Sequence, residues 1–97
     1  MSKFKLLSVA EVEYSQAIDW YLAKSRAAAS RFVAETELAI EAICTHPERY
    51  PRWDENYRYY LLNKFPYFVA YRYTSEQVTI VAIRHTSRDE SGCRINS

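Results

Sequence analysis

The apolar residues of this chain change their period once, and that change limits what the chain can fold into. From Ala10 to Ile43 they recur every three or four residues, as on one face of a helix; from Tyr57 to His85 they alternate, as in half-buried strands. Between the two regimes lies "HPERYPRWDEN", residues 46–56, which reads as a loop by its prolines and polar side chains.

In the helical half, "KFKLL" at Lys3 to Leu7 reads as a short alternating strand. Ser8 followed three residues later by Glu11 predicts a capping box, in which hydroxyl and carboxylate satisfy free amides at a helix start. Ala10, Tyr14, Ala17, Ile18 and Tyr21 then form one apolar stripe on a helix running to about Lys24. After a break near Ser25, a second helix carries Ala29, Phe32, Val33, Thr36, Ala39, Ile40 and Ile43 as its buried stripe. Arg31, Glu35, Glu37 and Glu41 occupy its flanks and outer face, and Pro47 closes it. So short a break predicts an antiparallel helical hairpin.

In the alternating half, Tyr57 to Leu62, Tyr67 to Tyr73 and Val78 to His85 are rich in aromatic and β-branched residues, and "NKFP" and "TSEQ" between them are short enough for hairpins. The order β-α-α-β-β-β predicts an α+β fold with the helical hairpin packed on a small antiparallel sheet, the other sheet face being open to solvent or a partner. Alternation puts Tyr67, Val69, Tyr71 and Tyr73 on one face and Phe68, Ala70 and Arg72 on the other.

A chain of 97 residues, 48% of them hydrophobic, can bury one core but not two, and its single Gly and three Pro leave no flexible linker, so one domain over residues 1–97 is expected. The apolar runs fall well short of the roughly 20 residues of a membrane span, and "MSKFKLLSVAEVEYS" breaks into charge where a signal peptide stays apolar. A cytoplasmic protein with no membrane contact is expected. Cys44 in a helical pattern and Cys93 in a polar tail suit a reducing compartment, and neither has metal-ligand spacing. There is no Gly-rich phosphate loop, paired-His metal spacing or nucleophile elbow, so no cofactor and no metal are expected.

The net charge of +1 hides an uneven distribution. Lys3, Lys5, Lys24, Arg26 and Arg31 nearly balance Glu11, Glu13, Asp19, Glu35, Glu37 and Glu41, whereas between Asn56 and Arg88 only Glu76 opposes Arg58, Lys64, Arg72, Arg84 and Arg88. A basic region beside the aromatic band follows if the fold gathers these cations. Single arginines in strands are more often solvated than functional, and His85 fits a polar strand terminus as well as a general acid or base. Tyr67 and Tyr71 are the tyrosines that remain candidates for stacking on a base.

"AIDWYLAKS", "FVAETELAIEAICTHPERYP", "YRYYLLNKFPYFVAYRY" and "VTIVAIRHTSRD" together resemble the RelE/ParE superfamily of toxins from type II toxin–antitoxin pairs. Tyr57-Arg58, Phe65-Pro66-Tyr67, Val69-x-Tyr71 and His85-x-x-Arg88 are similar to its ParE-like, plasmid-stabilisation branch. The resemblance implies a cognate antitoxin as first partner in a heteromeric complex, with Arg58, Tyr67, Arg72, Arg84, His85 and Arg88 as partner-binding residues. It also implies DNA gyrase as leading target, bound and inhibited without catalysis. RelE-like relatives instead cleave messenger RNA on the ribosome, and an alternative reading as a metal-independent endoribonuclease would use Arg58, Lys64, Arg84 and His85. In those relatives an Arg follows the Tyr that opens the middle strand; here that position is Phe68, which offers neither charge nor donor. The tail departs from the branch as well, with Glu90 and Cys93 where a Pro and a Trp are usual, which leaves a degenerate, non-toxic homologue as a third reading.

Overall fold

The computed structural model describes residues 4–86. Its elements are β1 (Phe4–Leu6), α1 (Ser8–Lys24), α2 (Arg26–Thr45), a 3-10 turn (Pro47–Arg49), β2 (Arg58–Leu61), β3 (Tyr67–Tyr73) and β4 (Val78–His85). The α+β architecture matches the sequence expectation element by element. The strands run in the order β1-β4-β3-β2. β2, β3 and β4 form the expected antiparallel hairpins, while β1 joins β4 in parallel and makes the sheet mixed.

One residue makes the helical hairpin. Ser25 is extended, its N–H donates to the Tyr21 carbonyl at 2.7 Å to end α1, and its hydroxyl accepts the Ala28 N–H at 3.2 Å to start α2. The expected capping box at Ser8 does not form. The Leu7 N–H is bonded to the Ile80 carbonyl at 3.1 Å, so the strand hands over to the helix without a loop. Leu7 itself becomes the N-cap, and Ser8 falls inside the first turn, where its hydroxyl has no capping geometry.

The hairpin covers one sheet face. Phe32 is the hub of that core, with ring centroids 5.0 Å from Tyr67, 5.1 Å from Tyr21 and 5.4 Å from Phe65. Around it Ala10, Ala17, Ala39 and Ile43 from the helices meet Val69, Tyr71, Ile80 and Ile83 from the sheet. Thr36, buried in α2, satisfies its hydroxyl on the Phe32 carbonyl at 2.8 Å. Glu35 on the same helix accepts the N–H groups of Asn63 and Lys64, at 2.5 and 3.1 Å, and so holds the β2–β3 turn.

The opposite face is not open, as the pattern had suggested. Phe68, Ala70, Val81 and Ala82 are buried there beneath Leu7, Trp53, Tyr57 and Tyr59. A bulge in β4 puts Val81 and Ala82 together in this cluster: Ala70 pairs with Ala82 but Tyr71 pairs with Ile80, leaving Val81 as the extra residue. The lid is the loop after the 3-10 turn. Asp54 folds it back by accepting the N–H groups of Asn56 and Tyr57 at 2.8 and 2.9 Å, and Trp53 donates its N–H to the Tyr57 carbonyl at 2.7 Å. Composition marked this stretch as a loop; the packing of its tryptophan required the third dimension.

Tyr71 is fully buried, which removes it as a base-stacking candidate, and its hydroxyl donates to the Pro47 carbonyl at 2.6 Å. Burial holds its phenol above the ordinary value near 10, with nearby Arg58 opposing the shift. Above about pH 10 the unfolded chain loses this proton while the folded chain keeps it, so stability present below that pH is lost as pH rises. Urea titrations across the alkaline range should show a slope shallower by up to about 1.4 kcal/mol per pH unit for Tyr71→Phe than for the wild type. The same variant should lose about 1 kcal/mol at neutral pH through the missing hydrogen bond.

Candidate functional site

Two grooves lie at opposite ends of β3, about 20 Å apart at the rise of an extended strand. The first, of about 500 Å³, is walled by Glu13, Gln16, Trp20 and Tyr21 of α1 and by Pro66, Tyr67 and His85 at the strand ends. It exists because β1 is short. Pairing between β1 and β4 stops at Leu6 and Ile80, and beyond it α1 lies against the edge of β4.

Glu13 takes over where β1 ends. One carboxylate oxygen accepts the Ile83 N–H at 2.9 Å, and the other binds the Arg84 Nε at 2.9 Å. With the two side chains only 17% and 27% exposed, the pair is screened less than a surface ion pair. Tyr67 and His85 face one another across the β3–β4 pair, rings edge to face at 5.1 Å. Thr86 closes the strand end by donating its N–H to the Pro66 carbonyl at 2.8 Å.

Trp20 forms the outer lip. It is 54% exposed, packs edge-on against Tyr21 at 5.0 Å, and carries the Lys24 ammonium 4.6 Å from its ring. With Val9 and Val12, 51% and 53% exposed, it makes an apolar stripe on the solvent side of α1 at helical spacing.

The second groove, of about 270 Å³, lies where the loop, β2 and the far end of β3 meet, and Arg52, Arg58 and Arg72 all line it. Arg58 is fixed by donating to the Tyr50 carbonyl at 2.6 Å, with its guanidinium 5.8 Å from the centre of the Tyr73 ring.

The sequence-derived candidates therefore separate. Tyr67, Arg84 and His85 share the first end of the sheet, Arg58 and Arg72 the other, and Lys64 projects into solvent from the β2–β3 turn. Arg88, with the atypical tail positions Glu90 and Cys93, lies outside the described residues. Phe68 pairs with Arg84 across the strands but turns its ring to Trp53, centroids 4.9 Å apart. Among the described residues no His, Cys, Asp and Glu gather as a metal site, and no helix is long and apolar enough to cross a membrane. Glu13 and Trp20 were missed. Trp20 had a readable signal, since it sits with Val9 and Val12 away from the Ala10–Tyr14–Ala17 stripe; the pairing of Glu13 with residues 70 and 71 positions later had none.

The family described as the ParE toxin of the type II toxin–antitoxin system parDE matches residues 8–90. The chain belongs to that family. Among solved structures, the chromosomal ParDE toxin–antitoxin system from P. aeruginosa is similar at 16% identity with a TM-score of 0.74, covering 88% of this chain and 96% of that one. At that identity the likeness is one of fold. A search of curated proteins finds no match. The ParE match runs from the first residue of α1 past the end of β4, so it includes both grooves and Phe68.

Replacing Glu13 tests how the first groove is built. Glu13→Ala strands the Ile83 N–H and leaves Arg84 without its carboxylate, and should cost about 2 kcal/mol in urea denaturation. Amide exchange at Ile83 should accelerate in the same variant. Glu13→Gln, which keeps a carbonyl for Ile83, should cost less.

Proposed function

We propose that this ParE family member acts in the cytoplasm as a protein inhibitor of DNA gyrase, without metal or cofactor, and is held inactive by a cognate antitoxin in a heteromeric complex. The observation that carries this reading is the burial of Phe68 under Trp53. Cleaving relatives present a cation at that strand position; here the same face of the sheet is closed by aromatic packing, and the neighbouring Arg84 is bound to Glu13. Among the described residues, a phosphorane with its added charge would meet no free guanidinium there.

The ribonuclease reading needs Arg58, Lys64, Arg84 and His85 to converge on one phosphate. Arg58 lines the groove at the far end of β3 from His85, and Lys64 stands on the β2–β3 turn. Binding, by contrast, needs only surface, and the Val9–Val12–Trp20 stripe beside the first groove offers an apolar seat for an amphipathic helix of the antitoxin.

Supercoiling and primer-extension assays separate the alternatives. The purified chain should block gyrase supercoiling or trap gyrase-cleaved DNA while leaving ribosome-bound messenger intact, and the antitoxin should reverse the block. Codon-position cleavage that His85→Ala abolishes, with gyrase unaffected, would establish the ribonuclease instead. Inactivity in both assays by a folded chain would mark a degenerate homologue.

A further inference from the structure

We infer that the outer stripe of α1 is a self-complementary surface, on which two copies of this chain pair antiparallel in a weak, reversible dimer. The inference goes beyond the proposed function and does not depend on its target.

Val9, Val12 and Trp20 are exposed on the solvent side of α1, and Gln16 and Ala23, also exposed, share that side at helical spacing. Successive members of the stripe stand three, four, four and three residues apart, so the spacing reads the same in both directions about Gln16. A two-fold axis at Gln16 therefore sets Val12 against Trp20 of the second copy and Val9 against Ala23, each contact made twice, as in an isologous interface. Every such contact joins a larger side chain to a smaller one, which lets the two helices close on each other. At the axis the two Gln16 amides each offer a donor and an acceptor, and a polar pair in an apolar seam fixes the register.

Charge favours the same arrangement. Glu13 and Lys24 lie on one flank of the stripe, Lys24 over the Trp20 ring, so an antiparallel pair brings each Lys24 toward Glu13 of the second copy. A parallel pair would set Lys24 beside Lys24, crowd Trp20 against Trp20 and align the two helix dipoles unfavourably. One helix face is a small interface. It offers roughly 400 Å² per copy, about half of a standard interface, which makes the dimer reversible and open to displacement by a tighter partner. Val12 of the second copy would cover Trp20, the lip of the first groove, together with the seat proposed for an antitoxin helix. A second copy and that helix therefore exclude each other.

The test is sedimentation equilibrium of the full chain alone, from about 5 μM to about 500 μM, with circular dichroism confirming that each variant is folded. The wild type should pass from the one-chain to the two-chain mass with a dissociation constant on the order of 100 μM. Val12→Glu and Trp20→Lys should each weaken pairing by about tenfold or more, since each buries a charge without a partner. The double variant should recover it, because the antiparallel register sets each new carboxylate against the new ammonium of the other copy, whereas a parallel register sets like against like. Leu38→Lys, at the most exposed large apolar side chain among the described residues and away from the stripe on α2, should change pairing less than about twofold. The inference is overturned if the wild type keeps the one-chain mass throughout, or if Leu38→Lys loses as much as the stripe variants. It is equally overturned if the folded double variant fails to recover pairing. Neither antitoxin, gyrase nor messenger enters the measurement, so failure here leaves the proposed function standing.

Discussion

The edge-on packing of Trp53 against Phe68 closes the sheet face that the helices leave uncovered, and most other features of the molecule depend on that closure. With Phe32 and its neighbours on one side and the Trp53 loop on the other, Tyr67 to Tyr71 of β3 and Val78 to Ile83 of β4 are buried at every position. A strand buried on both faces gives up the usual alternation of wet and dry side chains. The aromatic band from Tyr57 to Tyr73 is therefore largely core, and among the described residues the two grooves lie at the ends of β3 and the Val9–Val12–Trp20 stripe along the outer side of α1.

Closing both faces makes the edges of the sheet and its turns the places where backbone groups still need partners, and a few carboxylates serve them. Glu13 supplies the acceptor that β1 is too short to give Ile83, Glu35 takes the two N–H groups of the β2–β3 turn, and Asp54 folds the loop that carries Trp53. These acids lie in the nearly neutral half of the chain or in the loop, while the groups they hold lie in the alternating half and its approach. Long-range pairing of this kind joins the two halves. It also accounts for a cation that looked free in the sequence: Arg84 is bound by Glu13, whereas Arg58 and Arg72 at the other end form no ion pair with a carboxylate of the described residues, although Asp54 and Glu55 line the same groove.

Element order and strand faces were legible because they rest on local period. The helix stripes from Ala10 to Tyr21 and Ala29 to Ile43, and the strand bounds of β3 and β4, come directly from spacing. Three features were not legible. The Ser8 capping box was displaced by the Leu7–Ile80 bond, a tertiary contact that overrides a local signal. The parallel pairing of β1 depends on where a five-residue segment docks, which spacing does not encode. The second core depends on a tryptophan inside a polar loop, whose surroundings carry no period at all. The candidate site divided in the same way: residue types were recognisable, but their separation into two grooves follows from strand register.

The closure of the second face is tested most directly by removing its lid. Equilibrium urea unfolding of Trp53→Ala should show a cooperative transition weakened by about 2 kcal/mol, somewhat less than the loss for a fully buried aromatic because Trp53 is half-buried. Unfolding within about 0.5 kcal/mol of the wild type, the range of an ordinary surface substitution, would contradict it and return that face of the sheet to solvent.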